Sequence, residues 1–188
     1  MISTGWRIVE GQWIRSDRTT DWGGWGEASF CPVGAYATGL EVKYEEIGRG
    51  DDTAINGIAL QCAYGSGQPV YHSPRSKEGH WGNWKKCRCS NDAIDRVRAF
   101  RLCVQQPQGI KPDDMSAYGL YYHCGISGQK TCVLENRKVK DGICSDWISC
   151  PGKYKRICGL RTQVEDRQWS GDDTALNNVD FYCCVKDW

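Results

Sequence analysis

The chain has 188 residues and a mass of 21.2 kDa, enough for one domain or at most two small ones, with 24 Lys+Arg against 23 Asp+Glu. A net charge of +1 offers no basic surface to nucleic acid or an anionic membrane. Apolar runs as short as Gly57–Leu60 are too brief for a helix to cross a bilayer. The outliers are 12 Cys, 9 Trp and 22 Gly. An even cysteine count without CxxC…CxxC spacing favours disulfides in an oxidising compartment over zinc.

In chain order, Met1-Ile-Ser-Thr-Gly-Trp6 has no basic segment followed by an apolar one, which reads as a mature, secreted chain whose signal has been removed. Trp22-Gly-Gly-Trp25 then opens a pattern that returns as Trp81-Gly-Asn-Trp84 and, more weakly, as Cys144-Ser-Asp-Trp147. After each opening comes an alternating apolar–polar segment: Gly39–Tyr44, Ala99–Val104 and Gly159–Val164. An acidic pair follows, Asp51-Asp52, Asp113-Asp114 or Asp172-Asp173, and a second alternating segment closes the copy. Cys62, Cys124 and Cys183 each lie ten residues beyond the second Asp. Three copies result, near 22–62, 81–124 and 147–184, inside a single domain spanning 1–188; the linkers 63–80 and 125–146 are rich in Gly, Ser, Pro and charge.

Period-two alternation in every copy, with glycines interrupting any helical run, predicts an all-β protein. One small sheet cannot bury its apolar face alone, whereas three equivalent sheets can pack theirs against one another. The prediction is a disulfide-rich β-prism with pseudo-threefold symmetry; spacing alone leaves a three-bladed arrangement or a trefoil barrel open.

Asp51, Asp52, Asp113, Asp114, Asp172 and Asp173 admit two readings. Paired carboxylates on a sugar-facing surface can serve glycoside chemistry. Adjacent strand residues point to opposite faces, however, and one active site needs one copy, so turn chemistry is the favoured role. The following Thr-Ala-Ile-Asn does not supply a calcium loop, and no metal or cofactor is expected. As staples, Cys31 pairs with Cys62, Cys150 with Cys183 or Cys184, Cys87 or Cys89 with Cys124, and Cys158 with whichever of Cys183 and Cys184 remains. The pairing of Cys103, Cys132, Cys144 and the spare of Cys87 and Cys89 is left open. Trp22, Trp25, Trp81, Trp84 and Trp147 recur with the copies and suit core or sheet-edge packing. Trp169 does not recur, and its flat face is a candidate for stacking on a sugar. His123 reads as a surface residue, and Lys85-Lys86-Cys-Arg88 and Arg137-Lys-Val-Lys140 as solvated loops.

Trp22-Gly-Gly-Trp-Gly26, Phe30-Cys-Pro-Val-Gly34, Arg49-Gly-Asp-Asp-Thr-Ala-Ile-Asn-Gly-Ile58, Cys158-Gly-Leu160 and Asp172-Asp-Thr-Ala-Leu-Asn-Asn-Val179 with Cys183-Cys184 resemble the vitelline membrane outer layer protein I family over about residues 20–186. The resemblance implies a β-prism of three antiparallel four-stranded sheets held by intra-repeat disulfides. It also implies an extracellular protein of the egg's outer coat, associated with matrix and with transfer of N-acetylglucosamine oligosaccharides. The middle copy departs from the pattern: Asp113-Asp-Met-Ser-Ala-Tyr118 lacks its Thr and Asn, and Cys87, Cys103, Cys132 and Cys144 are additions. The expected function is a secreted structural protein of a protective coat, with oligosaccharides or matrix glycoproteins as partners. The alternative is a carbohydrate-binding protein or weak transferase acting on N-acetylglucosamine oligosaccharides.

Overall fold

The computed structural model describes residues 11–45, 54–90, 95–106, 117–125, 128–133 and 142–166, together with 175–185; for 131–133 it describes the backbone alone. Their strands are β1 (Gly11–Arg15), β2 (Gly24–Trp25), β3 (Ser29–Phe30), β4 (Ala35–Tyr44), β5 (Ile55–Tyr64), β6 (Asn83–Arg88), β7 (Val97–Gln105), β8 (Ala117–Cys124), β9 (Gly128–Val133), β10 (Gly142–Cys144), β11 (Ile148–Ser149), β12 (Arg156–Val164) and β13 (Leu176–Cys184). Among the described residues there is no helix.

The alternating segments form three long antiparallel hairpins, β4–β5, β7–β8 and β12–β13. Each is the middle of a sheet four lanes wide. In the first sheet β1 lies outside β13, while β2 and β3 share the lane beyond β12. In the second, β6 lies outside β4, and residues 68–75 bond along β5 through the bridges Ala59–Arg75 and Ala63–Pro69. In the third, β9 lies outside β8, and β10 and β11 share the lane beyond β7. The architecture is a β-prism.

A copy in sequence is not a sheet in space. The opening segment of each copy joins the hairpin of the copy before it, and the chain's first strands complete the last sheet. Lys85 and Lys86 accordingly lie on edge strand β6 rather than in a loop, because the Trp81–Trp84 opening is drawn into the second sheet. Two openings need glycine in the left-handed region: Gly23 (φ 78°) and Gly82 (φ 86°), where a Cβ would collide with the backbones of Val164–Glu165 and Tyr44–Glu45.

Each long strand carries register skips at matching places. The first strands skip Thr38, Arg98 and Cys158, and the second strands skip Asn56, Tyr118 and Asn177. Such bulges increase the local twist and curl each sheet around the axis. Inward-facing Leu40, Leu60, Leu102, Leu120 and Leu160 are fully or almost fully buried, and Phe100 meets Phe181 edge-on at 4.8 Å. Each such side chain contributes about 1.5–3 kcal/mol through burial.

Three disulfides lock the sheets to one another. Cys31 leaves the first sheet and bonds Cys62 of the second; Cys89 leaves the second and bonds Cys124 of the third; Cys150 leaves the third and bonds Cys183 of the first. With sequence separations of 31, 35 and 33, each stabilises by about 3–4 kcal/mol through the unfolded chain. Cys158–Cys184 and Cys103–Cys144 are staples within the first and third sheets, and Cys87 is also disulfide-bonded.

Tyr122, at the Cys124 end of β8, is buried with Asp95 nearby. Burial, and then the Asp95 charge, push its hydroxyl up to about 12 from 10.0. A group whose pKa is raised by folding contributes stability that is present below the unfolded value and lost as pH rises through the folded one. Unfolding free energy from denaturant titration should therefore fall between pH 10 and 12 by on the order of 2 kcal/mol from this residue, and Tyr122→Phe should make that fall shallower. An equally steep decline in the variant would assign the alkaline loss elsewhere.

Candidate functional site

Asp51, Asp52, Asp113, Asp114, Asp172, Asp173 and Trp169 lie outside the described residues, but the residues that bracket them do not. Glu45 donates its N–H to the Ala54 carbonyl at 2.8 Å, and Glu165 donates to Ala175 at 3.0 Å, so two of the three acidic segments leave and re-enter through the same backbone neck. Ala54, at φ 51°, packs with Cys103 and Tyr118, and Gly79 lies against Asn56 and Ala175. The second strands of all three hairpins thus begin at one end of the prism. The ring of inter-sheet disulfides is set by the other ends of the hairpins, beside the bulges at Thr38, Arg98 and Cys158.

Trp25, Trp84 and Trp147 occupy the added lanes of the three sheets. Their rings lie partly open on outward surfaces, because an edge strand has a neighbour on one side only. Trp22 and Trp81, just ahead of two of them, are exposed to a similar extent. Each of the three is met by a different set of polar groups.

On the first sheet the face is closed. Asp180, fully buried, accepts a hydrogen bond from Arg18 Nη2 at 2.6 Å on one oxygen, and from Arg161 Nε and Nη2 at 3.0 and 2.8 Å on the other. Both guanidiniums sit 4.7 Å from the Trp25 ring centroid, and that of Arg161 is also 5.1 Å from Trp13. Trp13, Phe30 and Tyr182 complete an edge-on aromatic cluster, with centroids 5.0–6.2 Å apart. Beside it Asn178 Nδ2 donates to the Thr20 carbonyl and to Gln163 Oε1, and Ser16 Oγ donates to Asn178 Oδ1. The loop after β1 is sealed onto the sheet by these bonds.

The second sheet has a small groove of about 280 Å³ around Glu41, which accepts from Gln61 Nε2 at 3.2 Å and Ser73 Oγ at 2.9 Å, with Lys86 Nζ at 3.7 Å. Arg75 lies over Trp84 at 5.6 Å. A second groove, of about 490 Å³, runs beside Trp81 and His80 to Glu45 at the neck of an acidic segment. The third sheet has a groove of about 700 Å³, with Trp147 against His123 at 6.1 Å, and with Arg98, Gln129 and Lys155 in its walls. None of these three grooves is lined by more than one carboxylate among the described residues. The cations beside these rings were not legible in the sequence, since Arg18 and Arg75, over Trp25 and Trp84, fall outside the recurring spacing, as does Arg98 in the wall of the Trp147 groove.

A closed prism of three antiparallel sheets, ring-stapled by disulfides and bearing half-open tryptophans, defines a β-prism protein of the lectin-like type of fold. The mannose-binding lectin of champedak has that fold, with a TM-score of 0.54 at 8% identity over 95% of this chain and 100% of its own. So do frutalin from Artocarpus incisa (0.53, 10%, over 97% and 100%) and recombinant jacalin (0.53, 12%, over 95% and 97%). The chain belongs to the vitelline membrane outer layer protein I family, whose model matches residues 12–186. It is similar to the vitelline membrane outer layer protein 1 homologs of Mus musculus, 34% identical over 88% of this chain and 79% of the relative, and of Homo sapiens, 35% identical over 87% and 78%.

Removing the carboxylate under the first face leaves two guanidiniums partly buried and unpaired. Asp180→Ala should cost about 3 kcal/mol of unfolding free energy by denaturant titration. A cost below about 0.5 kcal/mol would show that solvent replaces the carboxylate and that the stack does not depend on it.

Proposed function

We propose that this chain is a secreted structural protein of an extracellular coat, held in its matrix by glycans that stack on the outward tryptophans. The observation that carries the reading is the placement of Trp84, Trp81 and Trp147 along outward grooves of the second and third sheets, where a buried core would have no use for them. An indole ring beside hydrogen-bonding side chains is a suitable platform for the apolar face of a sugar. Membership of a family named for a vitelline membrane layer supports the coat, and the lectins that share the fold support the sugar. The density of disulfides suits an oxidising exterior.

The alternative, transfer among N-acetylglucosamine oligosaccharides, needs two carboxylates facing one bond. The described grooves offer at most one each, so that activity would rest on Asp51, Asp52, Asp113, Asp114, Asp172 and Asp173, with Trp169 beside the last pair. Retention on chitin, peptidoglycan and mannan columns checks the sugar reading. Trp81→Ala and Trp147→Ala together should reduce retention about tenfold while thermal stability holds. No retention on any of the three matrices removes glycan association from the function. Asp51→Asn, Asp113→Asn and Asp172→Asn, made singly, separate the two roles of the acidic pairs: a turn role lowers stability and spares binding, and a site role does the reverse.

A further inference from the structure

The three outward faces differ in how their cations are employed, and the third is the exception. Arg18 and Arg161 are both ion-paired with Asp180, and Lys86 lies near Glu41. In the third-sheet groove, Arg98 and Lys155 stand in the wall with no carboxylate among the described lining residues, and neither is paired with one elsewhere among those residues. Arg98 is placed there by the fold. It is the bulged residue of β7, its carbonyl is held by the Cys150 N–H at 2.9 Å, and its guanidinium lies across Gly125, where a Cβ would overlap it. Trp147, more than a third exposed, forms another wall and is set by its edge-on contact with His123; Gln129 adds a neutral hydrogen-bonding group.

A groove of about 700 Å³ with an aromatic wall and two unneutralised cations is matched by a sugar that carries its own negative charge. A neutral hexose would stack on Trp147 and leave Arg98 and Lys155 without partners. A carboxylate or sulfate on the ring would accept from the guanidinium fork and from the ammonium, which are the stronger, charge-assisted bonds. We propose that the groove between β7, β8, β9 and β11 is a binding site for an acidic saccharide, a uronic acid or a sulfated sugar, stacked on Trp147 with its anionic group toward Arg98 and Lys155. The inference rests on the glycan-association reading and assigns the ligand class at one of its faces.

The test uses the full chain and three hexasaccharides, in calorimetric titrations at pH 7 and low salt: neutral chitohexaose, hyaluronan with carboxylates alone, and chondroitin sulfate with carboxylates and sulfates. At least one acidic hexasaccharide should bind about tenfold tighter than chitohexaose, and the advantage should shrink as salt rises from about 0.02 to 0.5 M. The arm that binds best identifies the anionic group. Arg98→Gln with Lys155→Gln should remove the advantage while leaving chitohexaose within about twofold, and Trp147→Ala should weaken every sugar that binds there. Arg15→Gln with Lys86→Gln removes the same charge from the other two sheets and should leave the advantage intact. Should Arg98→Gln or Trp147→Ala disturb folding, the Trp147 indole N–H resonance of the unmodified chain supplies the second readout, and it should shift with the acidic hexasaccharide.

Chitohexaose bound as well as both acidic sugars, or an advantage lost equally in the Arg15/Lys86 variant, overturns the acidic-saccharide assignment and leaves glycan association standing. An unmoved Trp147 resonance at saturation overturns the placement. Failure of all three hexasaccharides and of the chitin, peptidoglycan and mannan columns overturns the glycan reading itself.

Discussion

The carbonyl stranded by a β-bulge is the contact on which the rest of this prism depends. At Thr38, Arg98 and Cys158 the first long strand of each sheet skips a pairing, which leaves a backbone carbonyl turned out of the hairpin ladder. The N–H of Cys89, Cys150 and Cys31 fills these three positions at 2.9, 2.9 and 2.7 Å. Each of those cysteines is then bonded to the next sheet around the ring. One device therefore performs two tasks: it ends the added lane at a fixed point, and it hands the chain across the corner of the prism. The same residue carries both connections at each corner, the backbone bond through its N–H and the covalent one through its sulfur.

The corners fix the sheets, and the inward faces follow. Leu40, Phe100 and Leu160 stand at equivalent positions on the three first strands, two residues past each skipped pairing, and all three are fully buried in one apolar core. The outward faces share no common core, and the copies have gone separate ways there. The residue opposite Arg161 is Asp180; the residue opposite Glu41 is Ala59; the residue opposite Arg101 is Tyr121. The first choice creates an ion-paired face and the second a shallow groove around one carboxylate; in the third, Arg101 Nε donates to the Ser145 carbonyl, and the groove with spare positive charge lies elsewhere on that sheet, at Arg98 and Trp147.

Much of this was legible in the residues, and the illegible parts share one cause. Period-two alternation and the ten-residue step from acidic pair to cysteine report contacts within a hairpin, which lie close in sequence and repeat with it. They suffice for all-β structure and for a threefold repeat, though not to separate a prism from a three-bladed arrangement or a trefoil barrel. Which sheet takes Trp22-Gly-Gly-Trp25 or Lys85-Lys86 is a pairing between copies, and no spacing within a copy encodes it. The candidate surfaces are harder still: Arg18 reaches Asp180 across 162 residues, and Lys77 reaches Asp166 across 89. Single charges at such separations have no periodic signature.

The middle copy shows how a departure from the pattern is absorbed. Asn56 and Asn177 are fully buried at the second bulge of their sheets, and Tyr118 takes that place in the third. A phenol ring is far larger than an amide and needs space on the neighbouring lane. Gly142 on β10 gives it that space, since a Cβ there would overlap the Tyr118 ring and hydroxyl. Two residues on, Cys144 sits opposite Cys103 in the register and is bonded to it, holding the three-residue β10 against β7. So short a strand has little ladder of its own to keep it in place, and the covalent bond substitutes for the missing hydrogen bonds. The Cys103–Cys144 pair is thus part of the same exchange as the missing Asn. The third sheet trades a polar bulge for an aromatic one and needs a staple at its edge to keep it, while its outward groove stays open.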